Sequence, residues 1–165
     1  MMIVFIGPPG AGKGTQSKRL LSHLSIPHLS TGDLLREAKA SGSSLGKLGA
    51  GYMDQGRLVP DPLVVAMVEE KLNEPKYAQG CLFDGFPRTV PQAEALDRML
   101  ADQGIPLDLV LALNVPEDDL VARLIARGRQ DDDPNTIAER FRQYSALTRP
   151  LIEYYGRRDI LRQID

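Results

Sequence analysis

The segment Gly7-Pro8-Pro9-Gly10-Ala11-Gly12-Lys13-Gly14-Thr15 follows a short apolar run, Met2 to Ile6, and precedes a stretch with helical spacing. A glycine-rich turn that leaves a strand and opens a helix brings backbone N–H groups and the helix N-terminus to one point, where they attract an anion. Gly10, Gly12 and Gly14 let the backbone approach phosphate oxygens closely, and Lys13 adds a mobile cation. Strand, spacing and helix agree, so a phosphate-binding loop is the stronger reading and a glycine turn beside a solvated lysine the weaker one. The hydroxyl that usually follows the lysine is displaced: Gly14 takes its place and Thr15 comes one residue later.

A loop of this kind belongs in an α/β protein, and the rest of the sequence agrees. Met2 to Ile6, Cys81 to Phe83 and Leu109 to Leu113 read as strands, each followed by helical spacing, with further strands at Pro27 to Leu29 and Ile160 to Ile164. That alternation predicts βαβ units and a parallel sheet of about five strands. With 165 residues there is material for one domain and one active site. The net charge of −2 gives no global attraction to nucleic acid or membrane, so anion binding has to be local. A single cysteine, Cys81, leaves no internal disulfide and suits a reducing compartment. The first apolar run is too short for a signal peptide, and no stretch reaches the length of a membrane span. A cytoplasmic protein is expected.

Local signals add detail. Between Ser30 and Pro60 glycine and serine collect around helical stretches at Leu34 to Ala40 and Leu45 to Met53, as in a small mobile insertion. Ser30, three residues before Asp33, caps the first of these. Asp133-Pro134 starts a late helix as an acidic cap with proline at the first helical position, and Pro150 should bend that helix. Every lysine lies at or before Lys76, whereas Arg123, Arg127, Arg129, Arg140, Arg142 and Arg149 crowd the last third. Planar guanidinium forks suit bidentate phosphate binding better than ammonium groups do.

The loop GPPGAGKGT resembles that of adenylate kinases and their close relatives, a family of nucleoside-monophosphate kinases. Further matches follow in order: Ser30-Thr31-Gly32-Asp33-Leu34-Leu35-Arg36, Leu58-Val59-Pro60-Asp61, Asp84-Gly85-Phe86-Pro87-Arg88-Thr89 with Gln92, then Arg123 and Arg127, Arg129-Gln130-Asp131-Asp132, and Arg140. The resemblance runs from Met1 to about Asp165. It implies a P-loop kinase fold, a five-stranded parallel sheet flanked by helices, as a single domain over 1–165. Its core would be 1–29, 60–125 and 134–165, with a small NMP-binding segment at 30–59 and a very short lid at 126–133. Relatives run on past the position of Asp165 through a short loop touching the ATP base and a final helix packing on the sheet.

The same resemblance implies roles. ATP would sit on Gly10, Ala11, Gly12, Lys13, Gly14 and Thr15, with Arg123 and Arg127. AMP would meet Thr31, Arg36, Arg57, Leu58, Val59, Gly85, Phe86, Pro87, Arg88, Gln92, Arg129 and Arg140. Lys13, Arg88, Arg123, Arg129 and Arg140 would carry transfer, and Asp84 would hold Mg²⁺ through water, since that ion keeps much of its hydration. Asp131 and Asp132 would orient the arginines or acidify the next helix. Longer relatives carry an insertion here that can hold zinc on cysteines; with only Gly128 between Arg127 and Arg129, no structural zinc is expected. The activity implied is reversible, Mg-dependent transfer from ATP to AMP, giving ADP, by a monomer. Thr31 and Gln92 favour AMP, while a UMP/CMP kinase and a non-catalytic nucleotide sensor stay open as alternatives. The sensor is disfavoured because a pure binder has no need of transition-state charge neutralisation.

Overall fold

The computed structural model describes residues 1–129 and 132–165. Five strands, β1 (Met2–Ile6), β2 (His28–Ser30), β3 (Cys81–Asp84), β4 (Leu109–Leu113) and β5 (Leu161–Ile164), form a sheet in the order β2-β3-β1-β4-β5. The pairings β1 with β3 and β4, β2 with β3, and β4 with β5 are parallel. Parallel neighbours need crossover connections, which here run through α1 (Lys13–Leu21), α2 (Thr31–Ala40), α3 (Ser44–Met53), α4 (Asp61–Leu72), α5 (Val90–Asp102), α6 (Glu117–Arg127), α7 (Pro134–Gln143) and α8 (Pro150–Gly156).

Helices cover both faces, so the strands read as unbroken apolar runs rather than alternating ones. On one face Met2, Val4, Ile6, Phe83 and Val110 pack with Val68, Leu72, Leu96, Leu100, Leu151 and Tyr155. On the other, Ile3, Phe5 and Leu82 meet Leu20, Leu21 and Leu24. A third cluster joins Ala11 of the loop to Leu120 and Leu124 of α6 and to Ile137 and Phe141 of α7. The phosphate-binding loop is thereby packed directly onto the arginine-bearing helices. Cys81 is fully buried in β3, and burial pushes its thiol up to about 12, which keeps it inert.

The crossovers lead to opposite sides of β1: the connection through α1 leads to β2 on one side, and the one through α5 leads from β3 to β4 on the other. The crevice at the strand C-termini beside such a switch point is where open α/β sheets bind ligands. Register places Asp84 opposite both Phe5, two residues before the loop that begins at Gly7, and Ser30, which directly precedes α2.

Observed elements depart from the sequence expectation in a few places. Strands β2 and β5 begin one residue later than read, and α2 starts already at Thr31 because the Ser30 hydroxyl accepts from Asp33 N at 3.2 Å. Asp133 caps α7, accepting from Asn135 N and Thr136 N. The late helix does not simply bend at Pro150. It widens into a π turn over Tyr144–Thr148, and Pro150 then opens α8.

Between β2 and α4, helices α2 and α3 pack tightly through Gly46. A Cβ at this position would lie 1.9 Å from Ala38 O and 2.6 Å from Lys39 N, both main-chain atoms that cannot swing away. Gly46→Ala is therefore expected to lower the melting temperature by about 5 °C through overpacking, as read by thermal unfolding.

Candidate active site

Lys13 begins α1 and folds its side chain back over its own loop, donating from Nζ to Gly7 O at 2.7 Å and to Pro8 O at 3.0 Å. Gly12, in the left-handed region with φ 90°, caps the helix, and a Cβ there would meet nothing within 4 Å, so the loop is open on the side a phosphate would approach. Thr15 is exposed on the first turn of α1. Burial, with Arg88 and Arg127 adding repulsion, pushes the Lys13 ammonium down to about 8, although Asp84 works against the shift.

Asp84 ends β3 beside this lysine. Burial alone would raise its carboxyl, but His28, Lys13 and Arg88 outweigh that and hold it below the ordinary carboxylate range. It stays an anion at neutral pH. The site of Gly14 lies against it: a Cβ there would be 3.7 Å from Asp84 Oδ2. His28 of β2 places Nε2 3.7 Å from the same oxygen, and this buried nitrogen has no hydrogen-bond partner among the described residues. No group of three or more metal-ligating side chains occurs among the described residues. A single carboxylate beside a phosphate loop does fit Mg²⁺, which takes one or two carboxylates, phosphate oxygens and water.

The acceptor-side residues converge on one carbonyl. Gly85 O accepts from Thr31 Oγ1 at 2.8 Å and from Arg88 Nε at 2.9 Å. Gly85 has φ 80°, and a Cβ there would sit 3.0 Å from both Thr31 Oγ1 and Arg88 Nη2, so the close approach of the two side chains depends on glycine. Gln92, 1% exposed, has its amide oriented by two one-way partners: Oε1 accepts from Arg88 N at 2.8 Å, and Nε2 donates to Asp61 Oδ1 at 2.7 Å. The other Asp61 oxygen accepts from Thr89 Oγ1 at 2.8 Å. Arg36 Nη2 pairs with Asp33, Arg57 lies over the Tyr52 ring at 5.5 Å, Leu58 is half-buried, and Val59, Phe86 and Pro87 are buried.

Asp132, with its side chain 2% exposed, gathers the arginines of the last third. Arg127 grips it with two bonds, Nε to Oδ2 at 2.9 Å and Nη2 to Oδ1 at 2.7 Å; Arg140 Nη1 donates at 3.1 Å, and so does Arg129 N. Gln130 and Asp131 of the same motif lie outside the described residues. The charges face one another. Burial and the repulsion of Arg127, Arg88, Arg129 and Arg36 push Arg140 down to about 10, and Arg129 is lowered by burial, Arg127 and Arg36. Cations from α2, from the turn after β3, from the end of α6 and from α7 thus surround one volume next to Lys13. Arg123 stands apart, exposed on α6 one turn before Arg127, with no charged partner among the described residues.

Asp61 stands in the sequence only as part of a motif, and nothing local marks His28 or Thr148. Thr148 Oγ1 donates to Arg88 O at 2.8 Å. None of these contacts leaves a local sequence signal, because each joins segments far apart in the chain.

A parallel sheet of this order, with a phosphate-binding loop at its switch point and arginines converging over it, defines a P-loop kinase. The sequence profile of the family described as adenylate kinase matches residues 5–160. An adenylate kinase of Caulobacter sp. (strain K31) is 48% identical over 169 residues, covering 100% of this chain and 89% of its own. One from Thermodesulfovibrio yellowstonii is 45% identical over 195 residues (99% and 91%), and one from Archaeoglobus fulgidus is 42% identical over 196 residues (100% and 90%). The chain belongs to the adenylate kinase family.

The depressed Lys13 gives a pH signature with a definite sign. Between about 8 and its ordinary value of 10.5 the unfolded chain holds this proton and the folded chain does not, so stability of the nucleotide-free protein gains from Lys13 as pH rises through that window. A bound polyphosphate favours the charged form and returns the proton. Titration calorimetry of an ATP analogue near pH 8.5, in buffers of different ionisation enthalpy, should therefore show proton uptake that is absent in Lys13→Met.

Proposed function

We propose that this adenylate kinase carries ATP on Gly10, Ala11, Gly12, Lys13, Gly14 and Thr15, and takes AMP as acceptor against Arg36 and Arg88 under the 30–59 segment. The observation that carries this reading is the gathering of Arg36, Arg88, Arg127, Arg129 and Arg140 near Lys13, a concentration of positive charge suited to several phosphates. Transfer requires in-line alignment, charge neutralisation and exclusion of water, with little covalent chemistry for the protein. The attacking phosphate oxygen of AMP is already ionised at neutral pH, so no general base is assigned.

In this reading Lys13 exchanges the Gly7 and Pro8 carbonyls for phosphate oxygens, and Arg123 and Arg127 flank the donor. Arg129 and Arg140, held through Asp132, close over the transferring group with the short segment 126–133. Asp84 would hold Mg²⁺ through water, and the bound ion would supply charge neutralisation at the phosphates. Arg57, Leu58, Val59, Gly85, Phe86 and Pro87 line the acceptor side. Gln92 retains one amide N–H and one lone pair beyond its bonds to Asp61 and Arg88, the donor and acceptor that the adenine edge requires. Thr31 and Gln92 thereby favour AMP over CMP and UMP. No helix among the described residues is long and apolar enough to cross a membrane; we take the protein to act as a cytoplasmic monomer.

Three outcomes test this assignment. Lys13→Met should lower kcat by about 10²-fold or more while leaving the fold intact, since a preorganised cation facing developing charge is worth about that much. With Mg·ATP as donor, AMP should be phosphorylated in strong preference to CMP and UMP, and Gln92→Ala should erode that preference. Equal turnover of the three acceptors would refute the selector role of Thr31 and Gln92. Arg129→Ala and Arg140→Ala should cut kcat/KM strongly yet leave the melting temperature without nucleotide almost unchanged, because each removes one of several mutually repelling cations while Arg127 keeps Asp132 paired. A collapse in that temperature would make these arginines structural.

A further inference from the structure

The main chain of Arg88 is held from both sides. Its N–H donates to Gln92 Oε1 at 2.8 Å, and its carbonyl accepts from Thr148 Oγ1 at 2.8 Å, across 60 residues of sequence. The Gln92 bond is local, within the turn that starts α5. The Thr148 bond comes from the π turn that joins α7 to α8, distant in sequence from the motif carrying Arg88.

That bond has a sequence cause. A threonine in an α-helix ordinarily returns its hydroxyl to a carbonyl three or four residues earlier. Pro150 has no N–H to give, and its ring crowds the carbonyl four residues before it. The helix widens just ahead of it, with Arg149 N reaching back five residues to Tyr144 O at 2.9 Å. In this widened turn the Thr148 hydroxyl is not returned to its own helix. The Thr148 side chain, 7% exposed, instead turns inward to Arg88 O. Such single π turns recur at functional sites.

The consequence lies in the guanidinium. Arg88 Nε is pinned to Gly85 O at 2.9 Å, so the orientation of the two Nη groups follows from where the main chain stands at residues 85 and 88. The Thr148 hydroxyl sets the second of these. We infer that Thr148 is a positioning residue for the acceptor end of the reaction, aligning the Arg88 fork with the acceptor phosphate. This rests on the reading of Arg88 as an acceptor-phosphate ligand. It also ties the π turn that follows α7, the helix carrying Arg140, to the main chain of Arg88.

The test is steady-state kinetics with each substrate varied in turn, with melting temperatures alongside. Thr148→Val keeps the shape and strands a buried carbonyl, so KM for AMP should rise about tenfold while KM for ATP hardly moves. Thr148→Ser, which restores the hydroxyl, should recover the wild-type value. Thr148→Ala gives the same comparison should the valine variant fold poorly. On an Arg88→Ala background, Thr148→Val should no longer change KM for AMP, since the pair acts through one group. An unchanged KM for AMP in both Thr148→Val and Thr148→Ala overturns the inference. So does an equal rise for both substrates that Thr148→Ser fails to reverse, which is the mark of a purely structural residue. If Arg88→Ala itself leaves KM for AMP unaltered, the acceptor reading of Arg88 falls and this inference with it; if Arg88→Ala raises it and the Thr148 variants do not, only the positioning role is lost.

Discussion

Positive charge packed at the C-terminal edge of the sheet is the constraint on which the rest of the site depends. Arg36, Arg88, Arg127, Arg129, Arg140 and Lys13 lie near one another, and burial, with repulsion between these cations adding to it, depresses the proton affinity of Lys13 and Arg140. Two buried or half-buried carboxylates relieve it in part. Asp84 stands by the loop, and Asp132 ties Arg127, Arg140 and the Arg129 main chain into one unit. In the proposed function the positive charge of this cluster faces the phosphates of ATP and AMP, in surroundings where charge is screened less than in water.

Such a cluster does not hold its geometry by attraction, so the frame has to hold it by other means. The third apolar cluster fastens the phosphate-binding loop to α6 and α7, the helices that carry Arg127 and Arg140. Gly85 O, with two donors, draws Thr31 and Arg88 to the same point. Asp61, Thr89 and Gln92 form a closed set of hydrogen bonds beneath Arg88, in which a carboxylate that can only accept and a backbone N–H that can only donate leave the Gln92 amide one orientation. The acceptor segment is tied back as well: Gly56 lies against α7, where a Cβ would come 2.6 Å from Thr136 O, and Thr136 Oγ1 donates to Asp54 O at 3.2 Å. The glycine-rich loop, α6 and the segment at residues 54–56 thus all meet α7.

Much of this was readable in the residues. The five strands, the phosphate-binding loop, the Ser30 and Asp133 caps and the crowding of arginine in the last third all rest on local pattern, and the structure places them within a residue or so of the expected positions. Pro150 announced a disturbance but not its form: a π turn is one resolution of the missing N–H, and a bend is another. Gln92 could be read as a base-facing amide, yet its structural bonds to Asp61 and Arg88 could not, nor could the placement of His28 beside Asp84.

By itself, then, the sequence determined the classes of local structure and the chemistry on offer: the strands and helices to within a few residues, a glycine-rich turn of the phosphate-loop type, and a late crowd of guanidinium groups. Those follow from periodicity, capping and backbone freedom, which act over a few residues. Tertiary structure alone decided the order β2-β3-β1-β4-β5 and hence the crevice beside β1, the gathering of Arg127 and Arg140 on Asp132, and the reach of Thr148 to Arg88. The physical reason is that these depend on how apolar faces stack. A buried hydroxyl or carboxylate bonds to whatever polar group packing brings within reach, and no local pattern records which group that will be.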